Sequence, residues 1–362
     1  MFAAPAVAAG RVNISGLQDS QKHDRFIVKY REGSAERADI ASARAELSRV
    51  SVAAAGANGL RVQHLRRMTL GANVVKSDRK LDRVEAESLM RQIAVAPNVE
   101  YVEVDKLNHA LLTPNDTNFS QQFGFGTGAG GTYATQAWDV TSGAGSVVAV
   151  LDTGITSHSD LSANILPGYD FIIDTAVFND GNGRDSDASD PGDWTTGQCG
   201  AASNSSWHGT HVAGTIAAVT NNAKIVPVRV LGTCGGYDSD IADAIIWASG
   251  GTVSGVPANA NPAEVINLSL GGSGACGATS QAAINSAVSR GTTLVIAAGN
   301  SNANVSGSSP ANCANVVAVG ATTSTGARAS YSNYGTGVDV AAPGSTIMST
   351  MNAGATTPGA ET

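Results

Sequence analysis

The feature that most constrains this chain is a series of short apolar segments in its C-terminal two thirds, separated by helix-forming stretches. Four of these segments are apolar along almost their whole length: Ser146–Leu151, Lys224–Leu231, Val265–Leu268 and Thr292–Ala297. Three predicted helices alternate with them: His208–Val219, Asp238–Ala248 and Ser280–Arg290. Strands that are apolar on both sides and alternate with helices are typical of a parallel sheet with helices on both faces. We therefore predict an α/β domain in this part of the chain.

The N-terminal part follows a different pattern, with shorter strands that have one polar side. The predicted strands are Arg25–Arg31, Leu60–Leu65, Gly71–Val75 and Val99–Val104, and the predicted helices are Ala35–Val50 and Asp82–Ala94. In the second helix we expect Val84, Ala86, Leu89 and Ile93 to face inward. The order strand–helix–strand–strand–helix–strand is that of the split-βαβ, ferredoxin-like fold. A small α+β domain is thus predicted before the α/β domain.

The distribution of charge supports this division. A chain of 362 residues suits two domains, and the net charge is +4 over residues 1–110 and −12 over residues 111–362. Opposite charges favour attraction between the two parts. We predict a leader remnant or flexible segment over residues 1–22, the α+β domain over 23–110 and the α/β domain over 111–362. The acidic α/β domain argues against a nucleic-acid partner, and we expect no membrane span because no apolar run reaches 18 residues.

All four cysteines lie in the acidic part: Cys199, Cys234, Cys276 and Cys313. Without a C-x-x-C pair, a zinc-knuckle or thioredoxin-type site is a weak interpretation. An even, widely spaced set fits two disulfides in an oxidising compartment, and four buried free thiols are the alternative. Three pairings are possible, and we predict the sequence-local one, Cys199–Cys234 with Cys276–Cys313.

Polar residues stand at the ends of the apolar segments. Asp152 directly follows the first segment, Asn300 closely follows the last, and His208 begins a predicted helix rich in small residues. Ligand sites of parallel sheets lie beyond the carboxyl ends of the strands. A carboxylate that orients an imidazole, a general base and an amide donor for an oxyanion are components of acyl transfer. Acyl-transfer chemistry is therefore the leading hypothesis for this edge.

Three other kinds of site fit less well. A zinc hydrolase helix has the pattern H-E-x-x-H, whereas His208 and His211 are three residues apart with no acid between them, so we expect His211 to be a supporting, hydrogen-bonded residue. The tripeptide Asp152–Gly154 matches aspartic proteases, which need a second D-T-G or D-S-G that is missing from this sequence. A lipase or esterase would carry G-x-S-x-G, which is also missing.

Five segments, in order, are similar to the successive motifs of subtilisin-like serine proteases: VVAVLDTGI, SSWHGTHVAGTIAA, VINLSLGG, LVIAAGN and VDVAAPG. This resemblance, which extends from about residue 113 to the end, implies that Asp152 orients the imidazole, that His208 is the general base and that Asn300 donates to the oxyanion. It also implies peptide and protein substrates and a secreted, extracellular protein. We further expect a monomer.

The α+β domain resembles the inhibitory propeptide of the same family, which acts as an intramolecular chaperone and inhibitor. The resemblance implies a zymogen in which residues 106–112 lie in the active cleft, with cleavage between Asn108 and Thr113. An unrelated α+β module on a linker is the alternative.

Substrates of this family pair as an added strand, so exposed backbone edges are needed. The candidate substrate-binding residues are Gly235, Gly236, Ser269, Leu270, Gly271, Gly272, Ala297, Ala298 and Gly299. The pocket for the residue before the scissile bond is expected between Ser269–Gly272 and Ala297–Asn300, with its floor near Gly307–Ser309. Because no acid or base stands there, an apolar or medium-sized residue is the predicted preference.

A loop over residues 179–193 is rich in aspartate, and its oxygen ligands suit Ca²⁺. The candidate calcium ligands are Asp180, Asp185, Asp187, Asp190 and Asp193, with Asp116 near the expected mature start. A solvated acidic loop is the alternative. The family resemblance also implies calcium, without choosing ligands.

The family carries its nucleophile in a G-T-S-M-A-type segment, and residues 1–362 contain none. We expect a catalytic domain truncated before that serine, so that the parent protein is an active protease and this chain is inactive. The alternative function is a non-catalytic peptide-binding pseudoprotease.

Overall fold

The computed structural model describes residues 9–17, 22–54, 60–106, 116, 118–174, 176–177 and 179–362. It divides the chain into two compact units, residues 1–109 and 110–362. Each unit has its own hydrophobic core. Within the described ranges, none of the helices has the length and apolar character needed to cross a bilayer.

In its described residues, the first unit contains a five-stranded sheet and three α-helices. Its strands are β1 (Arg11–Asn13), β2 (His23–Tyr30), β3 (Val62–Arg67), β4 (Asn73–Leu81) and β5 (Val99–Val104), and its helices are α1 (Ala35–Ala38), α2 (Ile40–Ala54) and α3 (Arg83–Ala94). The strand order is β1-β5-β2-β4-β3, in which only β1 and β5 are parallel. Strands β2 to β5 thus have the split-βαβ order that the sequence pattern predicts.

Three details of the first unit differ from the sequence-based expectations. Asp39 has extended backbone angles and accepts a hydrogen bond from the Ser42 backbone, so the helix expected over residues 35–50 is divided into α1 and α2. Val84 is 77% exposed, because it lies about 200° around α3 from the buried Ala86. Strand β1 pairs with β5 and Leu17 is buried, so part of the segment expected to be flexible over residues 1–22 belongs to the sheet and core of this unit.

The second unit is built on a seven-stranded sheet in which every pairing is parallel, with the order β14-β13-β11-β9-β6-β8-β7. A separate antiparallel ribbon joins β10 to β12. The strands are β6 (Val147–Asp152), β7 (Tyr169–Asp170), β8 (Lys224–Arg229), β9 (Val265–Leu268), β10 (Gly272–Ser273), β11 (Thr293–Ala297), β12 (Ser308–Ser309), β13 (Val317–Thr322) and β14 (Val340–Pro343). The helices are α4 (Ala134–Ala137), α5 (His208–Thr220), α6 (Asp238–Ala248) and α7 (Ala278–Ser289).

Both faces of this sheet are covered. Ala149 and Leu151 of β6 belong to the core cluster that includes residues of α6 and α7, whereas Val150 packs in a second cluster with Ala213 of α5. Successive residues of one strand are therefore buried on opposite faces, which explains the continuous apolar segments. The predicted α/β fold with a parallel sheet is confirmed.

Two disulfides fasten the loops of this unit. Cys199 is joined to Cys234, and Cys276 is joined to Cys313. This is the sequence-local pairing. The first pair is exposed, whereas Cys313 is buried beside the main core.

Candidate active site

Asp152 and His208 are in direct contact at the carboxyl edge of the sheet. Asp152 is the last residue of β6 and its side chain is fully buried, while His208 is the first residue of α5. Nδ1 of His208 lies 2.8 Å from Oδ1 and 2.9 Å from Oδ2 of Asp152. An ionised carboxylate only accepts hydrogen bonds, so in the neutral form of the ring Nδ1 carries the proton and Nε2 is left as the acceptor. The ring is 45% exposed and therefore accessible to a reacting group.

Small residues bring the two elements together. A Cβ at Gly209 would collide with the carbonyl oxygen of Gly154, just beyond β6. Gly154 itself has a φ of +103°, which favours glycine. The hydroxyl of Thr210 accepts a 2.9 Å hydrogen bond from the Thr156 backbone. The sequence DTGI before the helix and HGTHVAG within it thus allow α5 to approach the end of β6.

The environment favours the protonated imidazole of His208. The pKa of His208 is raised, first by its hydrogen bond with Asp152 and further by the charges of Asp152, Asp193 and Asp190, although burial acts in the opposite direction. The ring consequently becomes a neutral proton acceptor at a higher pH than an unperturbed histidine does. His211, one turn along the helix, instead contacts the carbonyl oxygen of Ile347 through Nε2 at 3.2 Å, in the supporting position that the sequence suggested.

A buried threonine links this pair to the aspartate-rich loop. The Thr153 backbone donates to Oδ1 of Asp152 at 2.8 Å, and its hydroxyl donates to Oδ2 of Asp190 at 2.6 Å. The same hydroxyl accepts a 3.0 Å hydrogen bond from the Gly209 backbone in the first turn of α5. Burial raises the pKa of Asp190 to about 6. The sequence suggested Asp190 only as a calcium ligand and gave no indication of this link.

Asn300 lies at the same edge of the sheet, beyond β11, which is separated from β6 only by β9. Its exposed side chain borders a cavity of about 380 Å³ that is also lined by Ser269, Ala297, Ala298 and Gly299. A second cavity of about 390 Å³ is lined by His208, Thr153, Gly235 and Ser269, among others. Ser269 borders both cavities. His208 and Asn300 therefore border neighbouring cavities, and His208 is also joined to Asp152 by direct hydrogen bonds.

The remaining candidate substrate-binding residues have different surroundings. A Cβ at Gly272 would face open space, as would one at Gly235, which has a φ of +102°. By contrast, a Cβ at Gly271 would lie 2.9 Å from the Ser309 carbonyl oxygen, and one at Gly236 would collide with the backbone of Val230. Leu270 packs partly against the main core. Open space thus lies beside Gly272 and Gly235, whose backbones pair with Ser309 and Gly232, whereas Gly271 and Gly236 are required by the protein's own packing.

The candidate calcium ligands do not converge on one point. Their oxygens accept hydrogen bonds from separate protein donors: Asp116 from Asn118, Asp180 from Arg229, Asp185 from Asn182 and Asp187, Asp187 from Ser189, Asp190 from Thr153 and Gly192, and Asp193 from Ser206. Within the described parts of the chain, no group of three or more His, Cys, Asp or Glu side chains is placed to hold a metal ion. In this arrangement the loop does not fit Ca²⁺.

Arg229, at the end of β8, is a cationic partner of two aspartates in this region. Its side chain is fully buried, and Nη1 donates to both Asp170 and Asp180. Burial raises the pKa of Asp170 to about 7 even though the guanidinium group favours its ionised form. No local sequence pattern marks Arg229, which ends a largely apolar strand.

A protein family and several known proteins match this chain. Residues 143–362 match the model of the subtilase family. An extracellular protease of Xanthomonas campestris pv. campestris is 60% identical over 99% of this chain and 64% of its own length. An extracellular basic protease of Dichelobacter nodosus is 45% identical over 91% of this chain and 57% of its own length. The chain therefore spans less than two thirds of each of these curated relatives.

A solved structure of a protease from Pseudoalteromonas arctica is also similar. It has a TM-score of 0.68 and 57% sequence identity, and the match covers 69% of this chain and 80% of that one.

Proposed function

The chain belongs to the subtilase family, and from this we propose that the protein containing it is a secreted serine endopeptidase. The observation that carries the proposal is the contact between Nδ1 of His208 and the buried carboxylate of Asp152, beside a cavity at the carboxyl edge of the sheet. The two disulfides and the extracellular relatives support secretion. Asp152, His208 and Asn300 all belong to this one chain, so we propose that a monomer is sufficient.

In the proposed reaction, Nε2 of His208 accepts the proton of a serine hydroxyl as that hydroxyl attacks a peptide carbonyl. Asp152 stabilises the imidazolium that forms and keeps its proton on Nδ1 without becoming protonated. The amide of Asn300 donates to the oxyanion that develops on the substrate. In subtilisin, the loss of such an asparagine donor lowers turnover by about 10²–10³.

We propose that residues 1–362 hold the base and the oxyanion donor but not the nucleophile. They contain no G-T-S-M-A-type segment, and the two curated relatives are substantially longer than this chain. A serine from outside these residues would then complete the site. On this proposal residues 1–362 alone do not hydrolyse peptides.

The substrate is proposed to be an extended peptide that lies in the open space beside Gly272 and Gly235 and pairs there as an added strand. The pocket beside Asn300 is lined by apolar and neutral polar residues. This lining supports an apolar or medium-sized residue before the scissile bond.

We propose that the first unit is the inhibitory propeptide. Its split-βαβ sheet and a net charge opposite to that of the second unit support this role. The tail expected in the cleft and the cleavage segment fall mainly on residues 107–115, which lie outside the described residues.

Calcium remains a prediction, based on the family, which commonly binds it, and on the density of aspartates. Binding at the acidic loop would require the carboxylates to exchange their protein donors for the ion. Thermal unfolding of residues 1–362 with excess Ca²⁺ and with EDTA tests this. A calcium-dependent rise in melting temperature would support binding, and identical curves would refute it.

The function is tested by casein hydrolysis with the native protein that contains residues 1–362. We expect activity that is lost in the His208→Ala variant, and residues 1–362 alone should show no more hydrolysis than their own His208→Ala variant. Peptide binding without hydrolysis by the native protein would favour the alternative, a pseudoprotease.

A further inference from the structure

We propose that Asn333 is the positioning residue for the oxyanion donor: its side chain fixes the loop that carries Asn300. The inference rests on the proposed function, since it assigns Asn333 a role through Asn300. Asn333 is 2% exposed and lies in the segment between β13 and β14, far from Asn300 in the sequence.

The side chain of Asn333 holds the backbone on both sides of Asn300. Before Asn300, Nδ2 donates to the carbonyl oxygen of Ala298 at 2.8 Å. After it, Oδ1 accepts 3.0 Å hydrogen bonds from the backbones of Ser301 and Ala303. One buried amide therefore clamps the loop from two residues before Asn300 to three residues after it.

Backbone contacts between the same two segments complete the clamp. The Asn333 backbone donates to the Gly299 carbonyl at 2.9 Å, and the Tyr334 backbone donates to the Ala303 carbonyl at 3.0 Å. Gly299 is adapted to this contact, because a Cβ there would lie 2.5 Å from Nδ2 of Asn333. The absence of a side chain at Gly299 thus allows the Asn333 amide to lie close to the loop.

Asn333 also connects this loop to the expected floor of the specificity pocket. Its Nδ2 donates a second hydrogen bond, of 2.8 Å, to the hydroxyl of Ser308 in β12. Nδ2 of Asn333 thus donates two hydrogen bonds, and Oδ1 accepts two. Only a carboxamide provides these donors and this acceptor in the same geometry. Aspartate has nearly the same shape but lacks both donors, so it would place a carboxylate oxygen against the Ala298 carbonyl.

An oxyanion donor is effective only when it is already in place as charge develops, since it then costs no reorganisation. Loosening the loop should therefore weaken a transition-state interaction and lower kcat, with little effect on KM. If the backbone hydrogen bonds between the two segments persist, the effect on the free energy of unfolding should be smaller than the effect on kcat.

The first experiment needs no catalysis. The ¹⁵N relaxation of the Asn300 side-chain amide is compared in residues 1–362 and their Asn333→Asp and Asn333→Ala variants. The matched control is Asn304→Asp, since Asn304 is exposed, caps a short 3₁₀ turn in the same loop and accepts a hydrogen bond from Ser306. We expect a lower order parameter for the Asn300 amide in both Asn333 variants and the wild-type value in the control. Unchanged order in folded Asn333 variants would overturn the inference.

The second experiment measures peptide hydrolysis by the native protein. We expect Asn333→Asp to lower kcat about 10- to 100-fold with KM within about twofold, and Asn304→Asp to leave both unchanged. In an Asn300→Ala background the same Asn333→Asp change should lower kcat by no more than about twofold, because the donor it positions is gone. An equal loss in both backgrounds would contradict the role. If the wild-type protein hydrolyses nothing, the proposed function fails, and the relaxation experiment still decides the positioning role.

Discussion

The side chains of Thr153 and Asp190 are both buried, and a 2.6 Å hydrogen bond joins the threonine hydroxyl to the aspartate. Through this contact the aspartate-rich loop is attached to the end of β6 and to the first turn of α5, the two elements that supply Asp152 and His208.

Replacing Thr153 by valine should destabilise the second unit by about 1–3 kcal/mol, because buried Asp190 and the Gly209 backbone would each lose a partner. Chemical unfolding of residues 1–362 measures this. Thr153→Ser keeps the hydroxyl and should be closer to wild type. Equal stability of the valine and serine variants would show that the hydroxyl contributes nothing.

The pKa of His208 should lie above the ordinary value of about 6.5, because Asp152 favours its protonated form. NMR titration of the His208 ring in residues 1–362 tests this, with His208→Ala used for assignment. Asp152→Asn should lower the pKa. A His208 pKa at or below 6.5 in the wild type would contradict the proposed electrostatics.

The raised pKa of His208 determines how both the stability and the activity should depend on pH. The ion pair of protonated His208 with Asp152 stabilises the fold below the unfolded pKa, and this contribution is lost as the pH rises through the higher folded pKa. Hydrolysis by the native protein needs the neutral ring, so it should increase through that same folded pKa. A rate that falls steadily from pH 5 upwards would exclude His208 as the base.

Replacing Arg229 by methionine should cost about 3–5 kcal/mol of unfolding free energy, since it leaves Asp170 buried without its charged partner. The double variant with Asp170→Asn should recover part of this loss. Chemical unfolding of the four proteins provides the comparison. A single variant as stable as wild type would mean that the pair is not needed for folding.

The two disulfides should differ in their accessibility to reductant. Cys199 and Cys234 are both exposed, whereas Cys313 is buried and Cys276 packs against the main core. Under native conditions a thiol reductant should therefore open Cys199–Cys234 first. Alkylation followed by mass spectrometry identifies the released thiols. Earlier labelling of Cys276 and Cys313 would contradict the burial seen here.

Peptides with an apolar residue before the scissile bond should be cleaved by the native protein with a kcat/KM at least about tenfold higher than those with arginine. The cavity beside Asn300 has no charged residue in its lining to compensate a buried guanidinium group. A series of peptides that differ only at this position measures the preference. Arginine as the best residue would refute it.

Elements buried on both faces were predictable from the sequence. Strand β9 and helix α6 have the bounds that the apolar pattern predicts, Val265–Leu268 and Asp238–Ala248. The pattern is informative because burial on both faces removes polar positions from a strand. By contrast, β13 and β14 were not predicted, since β13 contains a glycine and β14 is partly exposed. Strand β7 has only two residues, too few to show a period.

The site was predictable where a motif follows a strand or begins a helix. Asp152, His208 and Asn300 were singled out in this way. The supporting roles of Asp190, Arg229 and Asn333 were missed, because the partners that define these roles are 30 or more residues away and no local pattern marks them. A polar side chain buried by the tertiary fold looks, in the sequence, like any other polar residue.

The two outermost strands of the large sheet, β7 and β14, also determine how the unit meets other chains. One has two residues and the other ends at Pro343, which has no backbone N–H. An edge strand that is short, or that ends at a proline, offers little backbone for pairing with a strand of a neighbouring molecule. The two edges of this parallel sheet therefore expose few backbone groups on which another strand could add.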